Sequence, residues 1–187
     1  MKQFDKKKEK NYDYWQNIFD GHYDYMMSGK DNEYYLLREE FIKYLKDGDK
    51  VLDVGAASGG TYQHLKEFVD KKIDYKGTDY ASNFIKANKE RFPEAKWEIQ
   101  DARYLKEADE SYDAVIMYDV LDSMEGWELA LDEAMRVSKK WIFILMWTDN
   151  NMDDKYNYLK DKGWKTRMYQ IDHYIRGHRI IIAKKPI

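Results

Sequence analysis

The chain has 187 residues, 43% of them apolar and 16% aromatic, and 35 acidic side chains against 32 basic ones leave a net charge of −3. That length suits one domain, or a domain with an appendage, able to bury roughly 70% of its unfolded surface. Balanced charge argues against a protein that coats nucleic acid. The absence of cysteine removes disulfides, thiolate zinc sites, iron–sulfur clusters and cysteine nucleophiles together.

The longest apolar run, Trp141 to Trp147, falls far short of the ~20 residues a membrane helix needs. The start, MKQFDKKKEK, is charged and lacks the apolar stretch of a secretory signal. A cytoplasmic protein with no membrane partner is the expectation.

Residues 1–10 read as a solvated leader, and 11–46 as an aromatic-rich helical region. In that region Trp15, Ile18, Phe19 and His22 share one helical face, and Tyr34, Leu37, Phe41, Ile42 and Leu45 share another. The pattern then changes to short apolar runs alternating with helical stretches. Strands are predicted at 50–54, 74–78, 96–100, 112–117 and 141–146. Between them come helices at 61–70, with Leu65, Phe68 and Val69 inward, at 82–92 and at 126–138. After a helix at 153–161, the runs 165–175 and 178–183 flank Arg176–Gly177 and read as an antiparallel hairpin. The whole predicts an α/β fold, a mostly parallel sheet covered by helices on both faces and finished by that hairpin.

One junction carries chemistry. The strand Val51-Leu52-Asp53-Val54 runs into Gly55-Ala56-Ala57-Ser58-Gly59-Gly60 and then into a helix. Glycines allow close backbone approach, and the amides at a helix start favour an anionic or nucleotide-like ligand. An ordinary turn needing glycine at positive φ is the plainer alternative. Asp79 closes the second strand, and a carboxylate there can accept bonds from both ribose hydroxyls. Asp101 closes the third. Acids at the ends of three successive strands converge on the edge where open α/β sheets bind ligands.

In Asp53-x-Gly55-x-x-x-Gly59, Asp79, Asp101-Ala102 and the strand from Asp113 to Asp119, the chain resembles class I S-adenosylmethionine-dependent methyltransferases. The resemblance covers about residues 45–187. It implies a Rossmann-like three-layer sandwich with seven strands, the last inserted antiparallel beside the fifth. It also implies S-adenosylmethionine as cofactor and S-adenosylhomocysteine as product. Asp53, Gly55, Ala56, Ala57 and Gly59 would sit at the methionyl part, and Asp79 at the ribose. Tyr80 would pack on the adenine, Asp101 and Ala102 would read its edge, and Tyr118 and Asp119 would lie between donor and acceptor. Ala57 departs from the pattern, which has glycine there. By the same resemblance residues 1–46 would form a lid or cap over a catalytic domain at 47–187, and packing of the segment's aromatics as bulky core is an equal alternative.

Methyl transfer needs a base only where the acceptor loses a proton early, and Asp119, His22 and Tyr118 are the candidates, in that order. The Pro-Pro signature of nitrogen methylation is missing, because Tyr118-Asp119-Val120-Leu121 stands in its place. A nicotinamide dehydrogenase is the rival, since Gly55, Ala57 and Gly60 loosely match Gly-x-Gly-x-x-Gly. A non-catalytic cofactor-binding subunit is a further alternative. His173 and His178 flank the hairpin turn and read as surface or cross-strand residues rather than zinc ligands. His64 reads as half exposed. A small-molecule acceptor is expected, with nucleic acid or protein acceptors open, and the chain as monomer or homodimer.

Overall fold

The computed structural model describes residues 38–122, 124–147, 151–170 and 178–186. Residues 38–42 are helical and lead to β1 (Lys50–Val54), α1 (Gly60–Phe68) and β2 (Asp74–Asp79). Then come α2 (Ser82–Arg91), β3 (Lys96–Ile99) and β4 (Tyr112–Tyr118). The chain continues through α3 (Trp127–Val137), β5 (Ser138–Trp147), α4 (Met152–Asp161), β6 (Lys165–Gln170) and β7 (His178–Lys184).

The strands form one sheet in the order β3-β2-β1-β4-β5-β7-β6. β1 to β5 pair in parallel, and β7 runs antiparallel between β5 and β6. The expected mostly parallel sheet with a closing antiparallel hairpin is therefore the fold.

Strand side chains alternate between two buried layers, as the pleat requires. On one face Leu52, Val54, Val115, Met117, Ile142 and Ile144 meet Ala130, Leu131 and Ala134 of α3 and Leu159 of α4. On the other, Val51, Ala114, Ile116, Phe143 and Leu145 meet Leu65 of α1 and Ile85 of α2. Phe41, Ile42 and Leu45 join that second layer. The Phe41 ring lies 5.4 Å from Phe143 and 5.7 Å, edge-on, from Tyr118. Residues 38–45 thus pack directly on the sheet beneath the end of β4.

Two expectations for α1 need correction. Phe68, read as inward, is 58% exposed, and His64, read as half exposed, is only 3% exposed. The reason is the neighbouring segment: Glu39 reaches His64 Nε2 at 2.8 Å, so residues 38–42 cover the side of α1 that carries His64. Phe68, the last helical residue, lies beyond that cover.

Candidate functional site

Strand order reverses between β1 and its two neighbours. α1 and α2 cover the face bearing Leu65 and Ile85, whereas α3 covers the opposite face. The carboxyl ends of β1 and β4 therefore lie at a topological switch point, the place where ligands of such sheets bind.

The loop after β1 is pinned from β2 and α2. Gly55 and Ala56 both donate their N–H groups to Thr78 O, at 2.8 and 2.9 Å. The Ala57 N–H donates to Asp79 Oδ2 at 2.9 Å, and Asn88 Nδ2 donates back to Ala57 O at 2.7 Å. Those bonds hold Ala57 at φ 42, a left-handed conformation that L residues enter only at a cost. Gly55 has φ 75, and a Cβ there would fall 2.4 Å from Val120 Cγ2, so this position accepts no side chain. Gly59 caps α1 at φ 79 without a side-chain bond, and the first turn of α1 carries no acid. Among the described residues, Ser58 Oγ is buried with no hydrogen-bond partner.

Two acids lie under this loop. Asp53 accepts from the Tyr75 hydroxyl at 2.6 Å and is 2% exposed. Asp79, 7% exposed, accepts from Ala57 N and, through Oδ1, from Ala81 N at 2.8 Å. Burial pushes both pKa values up to about 6, against hydrogen bonds from Tyr75 and Thr61 to Asp53 and from Ala81 and Ala57 to Asp79. Asp79 thus accepts N–H bonds from Ala57, Tyr80 and Ala81 of its own chain, three of the roughly four lone-pair sites that a carboxylate has.

Asp101 is bound by the Arg103 fork, Nε to Oδ1 at 2.9 Å and Nη2 to Oδ2 at 2.7 Å. Arg103 also donates to Glu125 O at 3.1 Å, which ties the β3 exit to the turn before α3. This fork was not foreseen, and it fixes the carboxylate from behind. Ala102 is buried and Tyr80 half-buried.

Tyr118 is half-buried, and burial drives its phenol well above the usual value, opposed by the charge of Arg38. Asp119 follows at φ 52, with its N–H donated to Leu145 O at 2.9 Å. His178 approaches from β7, Nε2 lying 3.8 Å from Asp119 Oδ1. It is 4% exposed and cross-strand to residue 147, so the surface alternative does not hold for it. His22, His173 and the proposed lid residues 1–37 lie outside the described residues.

Sequence reasoning passed over Arg38 altogether, and of His178 it missed the approach to Asp119. Arg38 is 7% exposed and lies within electrostatic reach of Asp53, His64, Tyr75 and Tyr118. A signal existed: position 38 falls on the stripe of Tyr34, Phe41 and Leu45, where a charge is out of place. A cavity of about 510 Å³ lined by Gly48, Tyr62, Lys72 and Asp74 lies at the opposite, amino end of β2. Among the described residues no group of three or more His, Asp or Glu is arranged to hold a metal. No described helix is long and apolar enough to cross a membrane.

Comparison with known proteins follows the same lines. The family model of a methyltransferase domain matches residues 52–144. Demethylmenaquinone methyltransferase of Renibacterium salmoninarum is 33% identical over 92 residues, covering 49% of this chain and 38% of that protein. This chain thus spans less than two-fifths of the length of that relative. Magnesium protoporphyrin IX methyltransferase of Synechocystis, solved with S-adenosylmethionine, superposes over all of both chains at TM-score 0.71 and 15% identity. A putative methyltransferase in complex with the Haloferax volcanii Trm112 activator aligns at TM-score 0.73 and 14% identity, over 92% of this chain and 97% of that one. At such identities the structures speak to the fold alone, and the sequence matches over β1 to β5 carry the kinship. The chain belongs to the class I S-adenosylmethionine-dependent methyltransferase family.

Proposed function

We propose that this protein transfers the methyl group of S-adenosylmethionine to a nucleophile on a small molecule. The observation that carries the reading is the loop from Gly55 to Gly59 before α1, pinned at Ala57 by Asp79 and Asn88. Several features of the chain fit such a cofactor. The uncapped α1 terminus and the buried, partnerless Ser58 Oγ offer donors to a carboxylate. Asp53 offers a carboxylate to an ammonium group, and Asp79 offers its remaining lone pair to the ribose hydroxyls. In this reading Tyr80 packs on the adenine, and Asp101 with Ala102 faces its edge.

When bound, the cofactor supplies an already activated methyl on a sulfonium cation. The protein then has mainly to align donor and acceptor, an effect worth roughly 7–11 kcal/mol. Tyr118 and Asp119 stand at the end of β4, where the acceptor would meet the methyl. Asp119 orients or deprotonates the acceptor, and Tyr118, kept protonated by burial, serves as a hydrogen-bond donor. In this reading the part of the 1–46 segment before residue 38, with His22 in it, serves as a lid over the catalytic domain at 47–187, and Phe41, Ile42 and Leu45 belong to the core.

A small acceptor is supported by the near-neutral chain and by relatives named for menaquinone precursors. Transfer of labelled methyl from S-adenosylmethionine to a panel of quinols, phenols and amines tests the reading. Methylated product that disappears in Asp53→Ala supports it. Binding of S-adenosylmethionine without transfer to any acceptor class would leave a cofactor-binding subunit instead.

A further inference from the structure

We infer that the Asp119–His178 pair sets the site's preference for the methylated donor over its demethylated product, with His178 as the protonation-dependent partner of Asp119. The inference rests on the methyltransferase reading above.

The topology brings the two residues together. β7 runs opposite to β5, so its first residue, not its last, arrives at the carboxyl edge of the sheet. Register places Ile180 opposite Leu145 and His178 opposite residue 147. Asp119 is tied to the same strand by its N–H bond to Leu145 O at 2.9 Å. Its φ of 52 turns the chain out of β4 at that point, in a conformation that aspartate tolerates better than most residues. The outcome is a carboxylate with Oδ1 buried 3.8 Å from the imidazole and a side chain still 26% exposed. It stands between a buried imidazole and the end of the strand.

The surroundings leave few other switches. Tyr118 on β4 and Tyr169 on β6 are pushed up by burial and stay neutral, Tyr169 donating to Glu40 at 2.7 Å. Arg38 faces Tyr118 from the segment before β1, and arginine stays charged at any working pH. Arg179 on β7 pairs with Asp153 of α4 at 3.6 Å, and Asp122 after β4 faces Lys155. Among the described residues, Asp53 and Asp79 are shifted into the range between mild acid and mild base and lie under the loop after β1, while His64, lowered by burial, is held by Glu39 on α1.

Donor and product are alike except for one methyl and one positive charge on sulfur. A carboxylate at the end of β4 favours the charged donor. An imidazolium beside that carboxylate cancels the advantage. The donor-to-product affinity ratio should therefore rise with pH as His178 loses its proton. Any effect of Asp53 and Asp79 persists when His178 is replaced, so the difference between proteins isolates the imidazole.

The test is calorimetric titration of the full chain with S-adenosylmethionine and S-adenosylhomocysteine at about pH 5.5 and about pH 8. In the wild type the affinity ratio should rise roughly three- to tenfold between the two. His178→Gln should lose the imidazole's share of that rise and keep a higher ratio than the wild type at about pH 5.5, and Asp119→Asn should lower the ratio at both pH values. A ratio that is flat in the wild type, or that varies as much in His178→Gln as in the wild type, overturns the inference. The wild type alone gives a second reading, by NMR titration of the imidazole. His178 should titrate at lower pH with the donor bound than with the product bound, and equal midpoints overturn the idea. Heat from neither ligand at any pH would instead overturn the methyltransferase reading and this inference with it.

Discussion

The Asp79 carboxylate accepts the Ala57 backbone N–H at 2.9 Å, so the acid that closes β2 also sets the shape of the loop that closes β1. A residue first read as a ribose ligand is thereby also a strut. Asp79→Ala should orphan the buried N–H groups of Ala57 and Ala81, each at a cost of about 1–3 kcal/mol. Urea denaturation should show a loss of about 2–6 kcal/mol for the two together, with cofactor affinity falling further than Asp79→Asn lowers it. An alanine variant as stable and as tight-binding as the wild type would leave Asp79 with neither role.

Ala57 occupies a left-handed backbone with a side chain that disfavours it. Relief of that strain by Ala57→Gly gains about 1–2 kcal/mol, less the 0.4–1 kcal/mol that glycine adds to the unfolded chain's freedom. A gain of up to about 1 kcal/mol in denaturant melts is expected, and a clear loss would mean that the Ala57 methyl makes compensating contacts.

The converse substitution tests the other end of the loop. Gly55→Ala puts a methyl 2.4 Å from Val120 Cγ2 and at φ 75, so both contact and backbone oppose it. Destabilisation of about 2–3 kcal/mol is expected. Val120→Ala in the same chain should restore the steric part but not the backbone part. No rescue at all in the double variant would place the whole cost on the backbone.

Burial also writes a pH dependence. Burial pushes Asp53 and Asp79 up to about 6 from the ordinary 3.8, so the folded state binds more protons than the unfolded state between the two. Their contribution is present below about pH 4 and lost as pH rises through about 6. His64, lowered by burial, acts with the opposite sign: its contribution is present above the unfolded value of 6.5 and is lost as pH falls. Asp53→Asn should therefore make stability rise more steeply, or fall less, from about pH 4 to pH 7 than in the wild type. Urea melts across that range that run parallel for the two proteins would contradict the assignment.

The parallel strands were legible because both their faces are buried: Val51, Leu52, Val115, Ile116 and Ile142 to Leu145 form unbroken apolar runs. The hairpin was legible from Arg176–Gly177 between two extended segments. The site acids stood out by their recurrence at strand ends. What stayed hidden depends on contacts between elements remote in sequence. His178 carries meaning only once β7 is known to invert beside β5, and Asp101 is oriented by an arginine whose fork geometry no spacing reveals. His64 and Phe68 exchanged roles because Glu39, 25 residues earlier, covers one side of α1. Arg38 was visible as a charge on an apolar stripe, but its purpose needed Asp53 in place.

The central claim is that the loop from Gly55 to Gly59, with Asp53 and Asp79, holds S-adenosylmethionine. Isothermal titration of the full chain with S-adenosylhomocysteine and with NAD addresses it most directly. The account predicts saturable 1:1 binding of S-adenosylhomocysteine, accompanied by a rise in Tm, and no heat from NAD. Saturable binding of NAD with none of S-adenosylhomocysteine would contradict it.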